Sequence, residues 1–316
     1  MVGGSGQIGS ALIGAARGAG HVTIGTSFSQ KQDGLLPLNI CEKPLRSIVP
    51  DLGEDDTVYL LAAAGRPTWV HENPVAAHLL NIEASFRLAD EVMESGARLV
   101  FMSTDNVFNG VEGGYLETAV PQPLHLLGRQ KVAMEQHILS ANGRGIVTRT
   151  SFNVSWNQSV QCPVTQCYST LLQPHAKMAI DNIIGISDVD DVASGLLRLA
   201  SDVQPKASIY HLASSPPISR FELAETIQSE SRLSAQMHFE PVEFASIVGR
   251  YSEPRPTRAF LLSERLQELG ATFRHPSAVI RQKTVLLDQL NHHRITKLTL
   301  RKLVTEVGWF CYNLVG

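Results

Sequence analysis

Glycine occupies positions 3, 4, 6 and 9 of this chain, and the small and apolar residues 11–19 follow at once. Nothing else in the sequence restricts the fold as much. Residues without a Cβ let the backbone turn sharply and pass close to another group. A helix that starts at the end of such a turn aims unpaired N–H groups, and the positive end of its dipole, at whatever lies there. A pyrophosphate suits both properties, and the unit that holds it is strand, glycine turn, helix. Gly4-x-Gly6-x-x-Gly9 and Gly3-x-x-Gly6-x-x-Gly9 both fit; glycine turns are common, so the surrounding pattern has to support the reading. The candidate contacts are Gly3, Gly6, Gln7, Ile8 and Gly9. The strand that precedes such a turn has only Met1 and Val2 available, where roughly five residues are usual. That strand lies at the middle of the sheet. The expectation is therefore a start several residues late or a sheet impaired at its centre, the alternative being a brief pairing of Met1 and Val2 that the sheet tolerates.

The pattern downstream supports the reading. Apolar strand-like runs at 21–26, 57–62, 98–103 and 145–149 alternate with helical runs at 11–19, through Asn81 to about 95, and 127–140. Alternation of this kind gives an α/β fold with a doubly wound parallel sheet of Rossmann type. From Ser151 the pattern loosens. Residues 153–176 carry few signals; 182–186 reads as a short strand and 209–213 as another. Asp190 and Asp191 open a helix to about 201, where two acids match the dipole rather than form a metal site. Ser219 and Glu222 have capping-box spacing for a helix over 219–231, and 263–269 reads as a short helix. The domains expected are an NAD(P)-binding unit over 1–150, to which 182–213 return, a smaller substrate-binding lobe over 151–181 and 214–290, and a basic, then apolar, tail over 291–316.

Composition excludes more than it selects. With 43% apolar and 18% charged residues and a net charge of −3, the chain has no general attraction for nucleic acid or a bilayer. No apolar run is long enough to span a membrane. Cys41, Cys162, Cys167 and Cys311 form no C-x-x-C pair, so zinc and thioredoxin-like chemistry are not indicated and reduced thiols in a cytoplasmic protein are expected.

The second strand should end in an acid about twenty residues after the glycine turn if the ligand is NAD. Here it ends Gly25, Thr26, Ser27, Phe28, Ser29, with Lys31 nearby and no acid until Asp33. A carboxylate there would repel a 2′-phosphate, so its absence favours NADP, with Ser27 as a contact and NAD as the lesser option. Ala62, Ala63 and Ala64 close the third apolar strand, where small residues suit close approach of a ligand. Ser103, Thr104 and Asp105 reach the same edge from the fourth. Leu127 and Lys131 share a helix face. Arg149 is either a site residue or half of a structural ion pair, and Arg255 is either a pyrophosphate ligand through its forked donors or half of a surface salt bridge.

Together these pieces resemble the extended short-chain dehydrogenase/reductases, and among them the dTDP-4-dehydrorhamnose reductases, over roughly residues 1–285. The resemblance is carried by Gly3-x-x-Gly6-x-x-Gly9, Leu61-Ala62-Ala63-Ala64, Asn73-Pro74 with Asn81, and Ser103-Thr104-Asp105-x-Val107-Phe108-x-Gly110. It continues through Tyr115-x-Glu117, Pro121-x-Pro123, Gly128-x-x-Lys131, Arg149-Thr150-Ser151, Asp190-Asp191-Val192-Ala193 and Arg255-Pro256. It implies NAD(P)H-dependent reduction of the 4-keto group of a nucleotide-activated deoxysugar. In that family a Thr or Ser orients the keto oxygen, a Tyr delivers the proton while the nicotinamide delivers hydride, and a Lys four residues on lowers the Tyr pKa and binds the ribose. Thr104 and Lys131 match. The resemblance also implies cofactor contacts at Ala62, Ala63, Ala64 and Asn81, and substrate contacts at Asp105, Val107, Phe108 and Arg255.

Leu127 stands where the Tyr should be. A ketone that accepts hydride becomes an alkoxide and needs a proton donor or an electrostatic clamp. A phenol beside an ammonium donates near neutrality; leucine has no proton to give, and loss of a general acid typically costs about 100- to 10,000-fold. His125 lies six residues before Lys131, off the Leu127 face, and Tyr115 is a phenol the family carries anyway. Two further departures are Leu262 in place of an acid and Asn106 in place of a Tyr. Two readings stand. One is a reductase of a nucleotide sugar that is crippled or uses another acid. The other is a silent NADP(H)-binding regulatory or scaffold protein, a role with precedent in the regulatory subunit of methionine adenosyltransferase, which is similar in family. The partners implied are a nucleotide sugar and either a second copy of the chain or a partner enzyme.

Overall fold

The structure, a computed structural model, describes residues 1–28, 32–141, 145–157, 161–201, 208–249 and 251–295. In chain order the first unit contains α1 (Gln7–Gly18), β1 (Thr26–Ser27), β2 (Leu36–Pro37), β3 (Thr57–Leu60), α2 (Pro67–Glu72), α3 (Pro74–His78), α4 (Ser85–Glu94), β4 (Arg98–Thr104), α5 (Leu126–Ser140) and β5 (Gly145–Thr150). Then come β6 (Phe152–Val154), α6 (Pro163–Leu171), β7 (Ala176–Ala179), β8 (Ile183–Ile184), β9 (Ile186–Asp188), α7 (Val189–Ser201) and β10 (Ile209–His211). The chain continues through β11 (Ile218–Ser219), α8 (Arg220–Glu230), β12 (Phe239–Val242), α9 (Ala245–Val248), α10 (Arg265–Glu268) and α11 (Pro276–Ile295).

Strands β10, β5, β4 and β3 lie side by side in that order, all parallel. The alternation of β4 decides the two faces, since successive side chains of a strand point opposite ways. Leu99 and Phe101 join Leu88 and Val92 of α4 and Met134 and Ile138 of α5 on one side. Val100 and Met102 join Leu12 of α1 and Val192 and Leu196 of α7 on the other. This is the doubly wound α/β arrangement expected, and burial on both faces explains why β4 reads as an unbroken apolar run.

Met1 and Val2 complete the centre. Val2 N donates to Tyr59 O at 2.9 Å, Leu61 N donates to Val2 O at 2.9 Å, and Thr26 N donates to Met1 O at 3.0 Å. Val2 forms a parallel bridge with Leu60 and is 1% exposed. The expected impairment is therefore absent from this region: two residues link β1 to β3. The expected strand over 21–26 is shorter, beginning at Thr26, and it gains a parallel partner, β2, that the sequence did not signal.

The lobe has its own core, in which Tyr168 and Leu171 of α6, Leu223 and Ile227 of α8, and Val279 and Ile280 of α11 surround Ile186. β9 pairs with β6, and β8 with β11. Within the stretch 182–213, α7 packs on the first unit through Val192 and Leu196. α8 carries the expected capping box: Glu222 N donates to Ser219 Oγ and Ser219 N donates to the Glu222 carboxylate. α11 runs through residue 290, where the sequence suggested the lobe would end. Asp190 lies in the first turn of α7, its backbone N–H donating to Asp188 Oδ1, and the Asp191 carboxylate pairs with Arg274.

Candidate functional site

The site lies at the carboxyl ends of the parallel strands, where the lobe meets the first unit, and each glycine of the turn does something different there. Gly3 has φ +92°, and a Cβ on it would sit 2.7 Å from Ala62 N, so it is the residue that lets the turn close onto the end of β3. A Cβ on Gly9 would run into the Gly3 carbonyl, so Gly9 lets α1 pack against its own turn. Gly6 is exposed, and a Cβ on it would meet only Gly3 O at 3.3 Å. That leaves bare backbone facing outward at the helix start, a cradle of the shape and polarity that a pyrophosphate fits. Ser27 is buried at the end of β1. Gln7 Nε2 donates to Gln161 O at 3.0 Å, tying the turn to the lobe. Ile8 packs against the core of the α1–α7 face. Lys31 and Ser29 lie outside the described residues.

Ala62, Ala63 and Ala64 are half-buried after β3. Asn81 sits in a π-helical turn, Leu79–Ala84, a device common at functional sites. Its Oδ1 accepts from Ala64 N at 2.8 Å, and its Nδ2 donates to Ala64 O at 3.1 Å and to Gln130 Oε1 at 2.8 Å. In this structure the amide of Asn81, expected to contact the cofactor, clamps Ala64 and Gln130.

Leu127 is 2% exposed and packs with Val70 of α2 and Ala77 of α3, beside Ala64 and Leu126. The next residue explains how close this end of α5 comes, because a Cβ on Gly128 would collide with Asn106 O. Lys131 is buried, with Nζ donating to Met102 O at 2.8 Å and lying 4.6 Å from the Phe101 ring centroid. Burial brings its pKa down to about 8, against the pull of Glu135.

Thr104 and Asp105 anchor a polar network. Thr104 Oγ1 and Asn106 Nδ2 each donate to Asp105 Oδ1 at 2.9 Å, and Ser151 Oγ donates to Asp105 Oδ2 at 2.5 Å. Burial nonetheless raises the Asp105 carboxyl to about 6, outweighing the hydrogen bonds from Ser151 and Thr104. Asn106 Nδ2 also donates to Thr104 Oγ1 at 2.9 Å. His125 caps α5: Gly128 N donates to its Nδ1 at 3.2 Å, so the proton is assigned to Nε2, which donates to Asn106 Oδ1 at 2.9 Å. Burial, then Arg255 and Arg129, lower its pKa to about 4 and keep it neutral. The network runs His125, Asn106, Thr104, Asp105, Ser151. Sequence reasoning set His125 aside as off the helix face, yet it lies one residue before the helix and acts through the cap. A polar residue immediately ahead of the first helical turn was the available signal.

Two expected substrate contacts are fully buried in this structure. Val107 is 0% and Phe108 1% exposed. Phe108 stacks on Tyr115 with centroids 4.2 Å apart, and both residues pack with Ala213 and Leu261, so they shape the wall from behind. Arg149 is structural: it forms a buried pair with Glu135 at 2.6 Å, and Ser103 Oγ donates to the same carboxylate at 2.5 Å. Arg255 is neither wholly committed nor free. Its Nη2 reaches Glu253 Oε1 at 2.9 Å and donates to Thr68 Oγ1 at 2.7 Å, it lies 4.7 Å from the Tyr251 ring centroid, and its Nε is buried without a hydrogen-bond partner among the described residues. Leu262 acts through its backbone, accepting from His211 Nδ1 at 2.9 Å.

Among the described residues no helix is long and apolar enough to cross a membrane. The profile of the RmlD substrate binding domain matches residues 1–282. The chain is 26% identical over 283 residues to methionine adenosyltransferase 2 subunit beta of Mus musculus, across 87% of this chain and 83% of that protein. It is also 26% identical over 204 residues to dTDP-4-dehydrorhamnose reductase of Aggregatibacter actinomycetemcomitans, across 61% of this chain and 68% of that one. The crystal structure of dTDP-4-dehydrorhamnose reductase from Bacillus anthracis in complex with NADP aligns with a TM-score of 0.70 at 20% identity, covering 90% of this chain and 97% of that chain, a likeness of fold.

Proposed function

We propose that this chain, which belongs to the RmlD substrate binding domain family, holds NADP(H) without appreciable turnover and acts as a regulatory or scaffold protein. The observation that carries the reading is the burial of Leu127 among Val70 and Ala77. By the resemblance, Leu127 stands where the family has its proton donor, and this hydrocarbon is packed as core. The chemistry such a dinucleotide would offer, were a substrate and a proton donor in place, is a hydride to a keto carbon. The residues that would hold it are Gly3, Gly6 and Gly9 with the start of α1, Ser27 at the end of β1, Ala62 to Ala64 held by Asn81, and Lys131. The bare backbone at Gly6 is the feature of the structure that fits the group. A nucleotide sugar would lie across the cleft against Arg255, whose buried Nε has no acceptor among the described residues. The similarity to a subunit named for methionine adenosyltransferase supports a role beside a partner enzyme.

A second reading has its own observation. Thr104 Oγ1 touches the Asp105 carboxyl, and burial lifts that carboxyl to about 6. A protonated Asp105 passing its proton through Thr104 would let the chain act as a nucleotide-sugar 4-keto reductase without a phenol. The test begins with NADPH and NADH titrated by fluorescence. Reduction of a 4-keto-deoxysugar nucleotide is then assayed for the native chain, Leu127→Tyr and Asp105→Asn. Binding without turnover, with a gain of about 100-fold or more from Leu127→Tyr, supports the silent reading. Native turnover abolished by Asp105→Asn establishes the second reading in its place. No binding of either dinucleotide rejects both.

A further inference from the structure

Arg220 is a charged side chain of this cleft that neither the glycine turn nor the Thr104 network uses. It occupies the first position of α8, directly after the Ser219 cap. A cation there opposes the helix dipole, so local helix energetics do not account for it. Its Nε donates to Asn182 Oδ1 at 3.2 Å, and its guanidinium lies 4.8 Å from the Phe152 ring centroid. Phe152 is 38% exposed, so the stacked pair borders open space.

Two connections fix its place. Phe152 follows Ser151, whose hydroxyl bonds Asp105. Asn182 Nδ2 donates to Thr257 O at 2.8 Å and Pro256 O at 3.4 Å, the carbonyls directly after Arg255. Arg220 is thus tied to the Asp105 end of the cleft on one side and to the Arg255 loop on the other. Tyr251 lies within electrostatic reach of both guanidinium groups. Their situations differ. Arg255 has Glu253 as a counter-charge. Among the described residues, no carboxylate lies within ion-pair distance of Arg220, and Asp105 acts on it only from further off. Arg220 is half-buried, and a partly desolvated cation without a counter-charge in contact is stabilised when a ligand brings one; a planar guanidinium suits the two oxygens of a carboxylate.

We propose that Arg220 is an anion subsite for the sugar itself: the ligand is a nucleoside diphosphate sugar bearing an acidic substituent of the uronate kind, whose carboxylate pairs with Arg220 while Arg255 takes the diphosphate. The inference rests on the reading that the cleft accepts a nucleotide sugar. Both guanidinium groups could instead share one diphosphate, and the experiment separates the two cases.

Isothermal titration of the full chain with UDP-glucose and UDP-glucuronate, and with the corresponding dTDP sugars, compares ligands that differ only in the carboxylate. The native protein is expected to bind the uronate about 10- to 100-fold more tightly. Arg220→Gln should remove that preference and leave the neutral sugar unchanged, while Arg255→Gln should weaken both alike. Thermal unfolding confirms that each variant is folded; Arg220→Lys, which keeps the charge and loses the fork, should retain part of the preference. Equal binding of neutral and acidic sugars by the native chain overturns the inference alone. So does an Arg220→Gln variant that weakens both ligands equally, since Arg220 then serves the diphosphate. Failure of every nucleotide sugar to bind removes the underlying reading and this inference with it.

Discussion

Replacing Asp105 with Asn should change how stability depends on pH, and the size of the change follows from the site. The carboxyl is buried and raised from an ordinary 3.8 to about 6. In the unfolded chain it returns to its ordinary value. Between those two pH values the folded state binds more protons than the unfolded state, so stability falls as pH rises. A gap of about two units corresponds to roughly 3 kcal/mol. That contribution is fully present below about pH 4 and lost as pH passes about 6. The amide of the variant cannot titrate and contributes no such slope. It does place donors near Thr104, Asn106 or Ser151, which adds a constant offset, partly relieved because the hydroxyls can also accept. The quantity to measure is therefore the difference between native and Asp105→Asn unfolding free energies, from urea titrations at several pH values between 4 and 8. It should shift by about 3 kcal/mol toward the variant across that range, with all other titrating groups cancelling. A difference that stays flat would show that the three donors on the carboxylate balance its burial. A difference that moves toward the native protein as pH rises would show that they outweigh it. Either result refutes the reasoning.

Four further outcomes are expected. Glu135→Ala strands the buried Arg149 guanidinium and should cost about 3–5 kcal/mol in chemical denaturation, with Arg149→Met in the same chain recovering part of the loss. Ser219→Ala removes one half of the capping box and should lower stability by about 1 kcal/mol. Lys131, brought down to about 8, loses its charge as pH rises past that value, so NADPH affinity followed by fluorescence should weaken above about pH 8 and Lys131→Met should abolish the dependence. Gly6→Ala should reduce NADPH binding with little change in melting temperature, whereas Gly9→Ala, whose Cβ collides with Gly3 O, should lower the melting temperature itself.

The parts of this fold legible in the sequence were those where one kind of residue does one job. β3, β4 and the first half of β5 are apolar because both faces of the sheet are covered, and α8 announces itself through Ser219 and Glu222. α11 was missed because its inward face is not uniformly apolar. Lys283 and Thr284 are buried beside Val279 and Ile280, Lys283 Nζ donating to Ser155 O at 2.7 Å and Thr284 Oγ1 to Ile280 O at 2.9 Å. Such polar side chains break the periodicity that marks a helix face. The glycine turn, Thr104, Leu127 and Lys131 were readable because their spacing is local. His125 and Asn106 were undervalued because their link to Thr104 crosses between elements, and face-sharing arguments hold only within one helix. Val107 and Phe108 came to the substrate through the family resemblance alone; the turn after β4 directs both inward.

The Asn81 amide has an implication for how the molecule would respond to occupancy. One side chain grips the backbone after β3 from both sides and also holds the helix that carries Leu127 and Lys131. The two banks of the cleft are thereby riveted together by this amide, alongside the packing of Leu127 beside Ala64. A ligand that displaces either bank by a fraction of an ångström must carry the opposite bank along or break the fastening, so arrival at one end is felt at the other without any hinge between them.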